Sequence, residues 1–133
     1  MSEEASALWL RAKADLDAAK ALSGLGFFDA AASRSYYAAF SAVSALFSAR
    51  GLTFRKHSQI ESAVHRDLVH AGYWDVSLGA DFSFLRSVRA TGDYGAAVHV
   101  GEAEADAAMA AALRVVGAVA KEEPLLFVLD VPV

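Results

Sequence analysis

Apolar and small residues recur at helical spacing in five successive runs before residue 124, with short breaks between them and no convincing strand-like alternation in competition. That pattern leaves an all-helical bundle, largely antiparallel because its connections are short, as the architecture open to the chain. The run over 30–50 is the best defined. Tyr36, Phe40, Val43 and Phe47 fall on one face beside Ser35, Ala39, Ala42 and Ala49, small residues that let a second helix approach closely. Gly51 stands where a left-handed C-terminal cap falls, and Arg50 in the last turn complements the helix dipole.

The other runs are read in the same way. Over 3–22, Ala5, Trp9, Ala12, Leu16 and Ala19 form a core stripe, and Lys13, Asp17 and Lys20 take the wet side. Gly24-Leu25-Gly26 interrupts that helix, and Asp29 is placed to cap the next by accepting a bond from a free N–H of its first turn. Ser58-Gln59-Ile60-Glu61 reads as a capping box, followed by the stripe Ile60, Val64 and Leu68 and ended at Gly72. After Tyr73-Trp74-Asp75, a fourth helix turns Leu78, Phe82, Leu85 and Val88 inward and runs into a break at 91–95. A fifth, about 101–121, opens on Glu102, Glu104 and Asp106, acids that favour a helix N-terminus, and Pro124 must stop it. The expected organisation is one domain over 1–133. A bundle occupies about 3–122, and an extended apolar tail over 123–133 docks on the bundle or on a neighbour.

A chain of 133 residues can bury one core without disulfides or metal. Its 56% hydrophobic content and mean hydropathy of +0.32 are high, and much of this is alanine; surplus apolar surface suits a homodimer. No window supplies the ~20 uninterrupted apolar residues of a membrane span, and the acidic N-terminus is unlike a signal peptide, so a cytoplasmic location with no membrane partner is expected. The absence of cysteine excludes disulfides and thiolate metal sites. A net charge of −4 disfavours broad phosphate-driven nucleic-acid binding but leaves room for a local basic patch.

Arg89-Ala90-Thr91-Gly92-Asp93-Tyr94-Gly95 gathers an arginine, a carboxylate, a phenol and two glycines in seven residues, a mixture that a core segment does not need. Arg86, three residues earlier, points to nearly the same side as Arg89. Arg89 either caps its helix and pairs with Asp93, or binds a phosphate, a base or a partner through its planar fork. Tyr36 and Tyr37 are adjacent, so one is buried and the other reaches an edge, where Arg34 can share its surface. Arg50, Arg55, Lys56 and His57 form the clear basic cluster, with a solvated turn as the plain reading and a phosphate role for Lys56 or His57 as the sharper one. His65 and His70, five apart, diverge on an α-helix, and no metal site or cofactor motif is present.

Together, Ser33 to Phe40, Lys56-His57-Ser58 and Arg89 to Gly95 resemble the HEPN domain family over about residues 5–122, specifically small prokaryotic members that accompany nucleotidyltransferases. The resemblance implies a helical bundle, a homodimer and an accessory or toxin-like role beside a small nucleotidyltransferase. Nucleotide or RNA contacts are then expected at Arg86, Arg89, Asp93, Tyr94, Arg34, Tyr37, Lys56 and His57. Ribonuclease members carry an arginine and a histidine with four to six residues between them and cut RNA without metal. Here the positions after Arg89 hold Tyr94, Gly95 and Ala96, and those after Arg86 hold Thr91, Gly92 and Asp93, while His99 lies too far on. Ser41 also stands where many relatives have a histidine. A binding module with a degenerate ribonuclease motif is therefore the first reading, with Arg89, Asp93 and Tyr94 as the candidates for any chemistry. A ribonuclease with a composite site at a dimer interface is the alternative. Tyr94 is, on the resemblance, a candidate acceptor of nucleotides from the partner enzyme.

Overall fold

The protein is described by a computed structural model covering residues 2–129. Five α-helices follow one another: α1 (Glu3–Gly24), α2 (Phe28–Ala49), α3 (His57–Ala63), α4 (Val76–Tyr94) and α5 (Glu102–Glu122), with α3 running on into a π-helical turn over Val64–His70. No strand occurs among the described residues. None of the described helices is long and apolar enough to cross a membrane.

Local chemistry accounts for most of the boundaries. The Ser2 hydroxyl accepts from the N–H of Ala5 to cap α1. Gly26 leaves α1 with φ of +85°, and Gly51 leaves α2 with +79°, the left-handed conformation that glycine adopts at least cost. Two expected caps are corrected. Asp29 lies inside the first turn of α2, whose cap residue Phe27 makes no side-chain cap bond, and the Asp29 carboxylate is spent on a distant loop. Helix α3 starts at His57 with Lys56 as its cap residue, so Ser58 is already helical. The Gln59 side chain instead accepts from the N–H groups of Arg55 and Lys56. The third helix also changes pitch midway: its second half winds as the wider π-helix.

Helix α2 is the hub, packing against α1, α4 and α5. Its buried alanines, including Ala31, Ala38, Ala42 and Ala45, carry so little side chain that neighbouring helices come close, and α5 answers with Ala105, Ala108, Ala111 and Ala112. The larger volumes come from Tyr36, Leu46, Leu68, Phe82 and Leu85, all fully buried. After α5 the chain makes a turn, with the Leu126 and Phe127 N–H groups donating to the Glu123 carbonyl, where an extended tail was expected. Phe127 is 1% exposed against Trp9, at 4.9 Å between ring centroids, and the Trp9 indole N–H donates to the Val128 carbonyl at 3.0 Å. The tail therefore docks on its own bundle as far as residue 129. The expected course of 130–133 lies outside the described residues.

Candidate functional site

The expected break at 91–95 is instead the end of a helix. Helix α4 continues through Gly92 to Tyr94, and the Gly95 N–H donates to the Thr91 carbonyl at 2.9 Å. Glycine at 92 answers a tertiary demand, since a Cβ there would stand 2.9 Å from the Asp29 carbonyl oxygen. Unbroken helix keeps Arg89 and Asp93 one turn apart, and the Arg89 Nε lies 2.9 Å from the Asp93 carboxylate.

Arg89 is the centre of the site. One of its Nη2 hydrogens is donated to the Tyr37 hydroxyl at 2.7 Å. Its guanidinium carbon lies 5.3 Å from the Tyr37 ring centroid, 5.5 Å from that of Tyr94 and 5.6 Å from that of Tyr36, within cation–π range of all three. Burial works against the charge, but Tyr37, Tyr94 and Asp93 outweigh it and hold the guanidinium pKa above the ordinary arginine value. The charge is thus firmly held, with aromatic faces around it.

The two tyrosines divide as expected. Tyr36 is buried and donates its hydroxyl to Glu61 Oε1 at 3.0 Å. Burial first, and the Glu61 carboxylate second, push its phenol well above the usual tyrosine range. Tyr37 is half-buried and takes a second guanidinium, that of Arg34, at 4.9 Å from its ring centroid, while Arg34 also pairs with Asp15 at 3.1 Å. Arg86 is more open and pairs with Glu61 Oε2 at 3.3 Å. Glu61 thereby links Arg86 to Tyr36 and, through the Tyr36 ring, to Arg89.

The basic cluster read around 50–57 divides: Arg55, Lys56 and His57 line one cleft, and Arg50 leaves it. Arg50 is drawn to Glu122 at 3.1 Å and Glu123 at 3.7 Å, at the end of α5. Lys56 is exposed and lines a separate cleft with residues of α1 and α2. His57 joins the Arg89 neighbourhood indirectly. Its ring packs on Phe40 at 4.2 Å and lies 6.0 Å from Tyr37. Arg34, Tyr37, Arg86, Arg89, Asp93 and Tyr94 are thus brought together, with His57 at the edge and Lys56 apart.

Two supporting residues carry no local signal. Glu61 looks like a capping acid in sequence, yet bridges α2 and α4. Asp29 accepts the Val100 N–H at 2.7 Å and meets the His99 Nδ1 at 2.8 Å, tying the chain after α4 back to the start of α2. The Val100 bond and then the His99 contact hold the Asp29 carboxyl below its ordinary pKa. No cluster of three or more histidine, cysteine, aspartate or glutamate side chains suited to a metal ion occurs among the described residues.

The model of the HEPN domain matches residues 5–123. A UPF0332 protein of Thermotoga maritima is 41% identical over 92 residues, which make up 69% of this chain and 70% of that protein. A Methanocaldococcus jannaschii protein, provisionally named as a toxin, is 29% identical over 96 residues, 72% of this chain and 65% of its own length. Among solved structures, an archaeal HEPN homologue superposes with a TM-score of 0.73 at 22% identity, covering 92% of this chain and 98% of the other. A Thermus thermophilus protein does so with a TM-score of 0.78 at 23% identity, covering 91% and 99%.

Proposed function

We propose, from the premise that this chain belongs to the HEPN domain family, that it is a toxin-like binding module whose Arg89, Asp93 and Tyr94 corner holds the phosphate of a nucleotide or RNA ligand. In this reading it works as a homodimer beside a small nucleotidyltransferase. The provisional toxin name of the Methanocaldococcus jannaschii relative supports the toxin-like part.

The observation that carries the reading is the setting of Arg89. A guanidinium has five N–H donors in a fixed fork; the Tyr37 hydroxyl takes one of them, and Asp93 stands beside the fork as an ion-pair partner. Its surroundings are mainly aromatic faces, which attract the cation without cancelling its charge as a second carboxylate would. Tyr94 is 73% exposed, open to stack on a base or to receive a group from a partner enzyme.

Incubation of wild-type and Arg89→Ala protein with end-labelled single-stranded RNA, without metal, tests the reading. Binding by the wild type, weakened about tenfold or more in the variant, with intact RNA in both, is the expected result. A chain that runs as a monomer by light scattering at micromolar concentration would remove the dimer from the proposal.

One observation favours the ribonuclease alternative: the His57 imidazole packs beside Tyr37, the residue that bonds Arg89, so a proton-transfer group reaches the cluster from another helix. Products with cyclic-phosphate ends that depend on both Arg89 and His57 would establish that reading.

A further inference from the structure

We infer that the cleft lined by Arg55, Lys56 and His57 is a binding site for a small amphiphile, an apolar chain of medium length that ends in one anionic head. The inference does not rest on the phosphate-binding reading of Arg89.

The cleft has a volume of about 280 Å³ and is enclosed by α1, α2, the connection 52–56 and the start of α3. Leu8, Phe40, Phe54 and Ile60 give it one apolar wall from each of those segments. Ile60 is part of the core, whereas Leu8, Phe40 and Phe54 are half-buried and Leu52 is 46% exposed. The Phe54 ring stands edge-on to Phe47 with centroids 5.4 Å apart, and the His57 ring packs on Phe40 at 4.2 Å. The walls are thus held in place from behind, and apolar surface remains for a ligand to cover.

Charge decides the ligand class. Arg34, Arg50, Arg66, Arg86, Arg89 and Arg114 each pair with a carboxylate. Arg55 and Lys56 have no carboxylate partner among the described residues, and both are exposed where they line the cleft. The Gln59 side chain accepts from the backbone N–H of each, so the turn that carries them is fixed.

The one acid of the lining, Glu4, stands apart from them. The Ser48 hydroxyl donates to Glu4 at 3.5 Å, whereas His57 lies against Phe40, eight residues back along α2, a distance of roughly 12 Å on a helix. One end of the cleft is therefore basic and the other acidic, with apolar walls and the Ser44 hydroxyl between them. An anionic head fits the basic end, and a second anion at the far end would meet Glu4. A basic turn before a helix is often only solvated. Here it borders exposed apolar surface, which solvation of the turn does not explain.

Isothermal titration with hexanoate, octanoate, monooctyl phosphate and 1-octanol, each below its aggregation limit, tests the inference. Octanoate should bind about tenfold more tightly than octanol, and each methylene added between hexanoate and octanoate should gain about fourfold. The Arg55 fork suits a planar carboxylate and a phosphate alike, so the tighter of octanoate and monooctyl phosphate identifies the head. Arg55→Gln and Lys56→Gln, at exposed positions, should each weaken the anions about threefold and leave octanol unchanged. Ser44→Phe should block every chain in protein whose circular dichroism matches the wild type. Equal affinity for octanol and octanoate, or an anion affinity that survives both charge variants, overturns the inference. So does self-association in light scattering that Ser44→Phe abolishes, with no amphiphile bound, which would assign the cleft to a second copy of the chain.

Discussion

Arg50 follows the last residue of α2 and Arg89 lies a little over one turn before the end of α4, each with a glycine within three residues, yet the fold treats them in opposite ways. Arg50 meets two carboxylates, Glu122 and Glu123, and ties the end of α2 to the end of α5. Arg89 meets one carboxylate, one phenol hydroxyl and three aromatic rings. The first arrangement spends the positive charge on structure. The second leaves Asp93 as the one carboxylate beside it, and the remaining neighbours, π faces and a neutral phenol, attract a cation without neutralising it. An arginine at a helix end carries no function by itself; its partners decide.

The sharpest way to break this comparison is to loosen the Arg50 end. Phe127 sits one turn beyond the Glu122 and Glu123 pair, buried against Trp9. Phe127→Ala should cost about 3–5 kcal/mol in a denaturant titration, and the protein that remains folded should bind nucleotide as before. A loss of affinity in the folded fraction would show that the two ends are coupled.

At the Arg89 end, Asp29→Ala removes the carboxylate that receives Val100 and His99, and should destabilise by about 1.5–3 kcal/mol. The same carboxyl sets a pH dependence. Because its folded pKa is lowered, its contribution is fully present above the unfolded value near ~3.9 and is lost as pH falls through the lower folded value. Acid unfolding of wild type and Asp29→Ala should therefore converge below pH ~4, and parallel curves throughout would contradict the latch.

Gly92→Ala sets two effects against each other. Alanine gains about 1 kcal/mol of helix propensity over glycine, whereas overpacking against backbone costs about 1–3 kcal/mol. The added Cβ would meet the Asp29 carbonyl at 2.9 Å, a backbone atom that cannot swing aside, so a net loss of about 1 kcal/mol is expected in thermal melts. A stabilised variant would mean that the α4 end is looser than its contacts indicate.

The smallest effect belongs to Arg50→Ala, where partly exposed ion pairs contribute up to about 1 kcal/mol. Nucleotide affinity should not change, in contrast to Arg89→Ala. Equal loss of affinity in the two variants would erase the distinction between the ends.

Much of the bundle was legible in the sequence because helical periodicity is a local property. The stripes Trp9, Tyr36, Val43, Leu68, Phe82, Leu85 and Val88 all face the core, and Gly51 and Pro124 mark helix ends where expected. The errors share a cause. Asp29 and Gly92 resemble ordinary local signals for a cap and a break, but Asp29 bonds a residue 71 positions away and Gly92 makes room for the Asp29 backbone. Ser58-Gln59-Ile60-Glu61 places the cap two residues beyond Lys56, where it falls, because the Gln59 side chain serves the N–H groups of Arg55 and Lys56.

The sequence by itself determined five helices, which faces are apolar, that only one of two adjacent tyrosines could be buried, and the family. These follow from spacing and from motif residues that lie close together in the chain. Only the tertiary structure decided which arginine is ringed by aromatic side chains, that His57 packs beside Tyr37, and that Glu61 joins α2 to α4. Charges and rings act through space, and apart from Arg89 with Asp93 the polar pairs that link these helices lie 19 to 72 residues apart in the chain, a separation over which local pattern carries no information about contact.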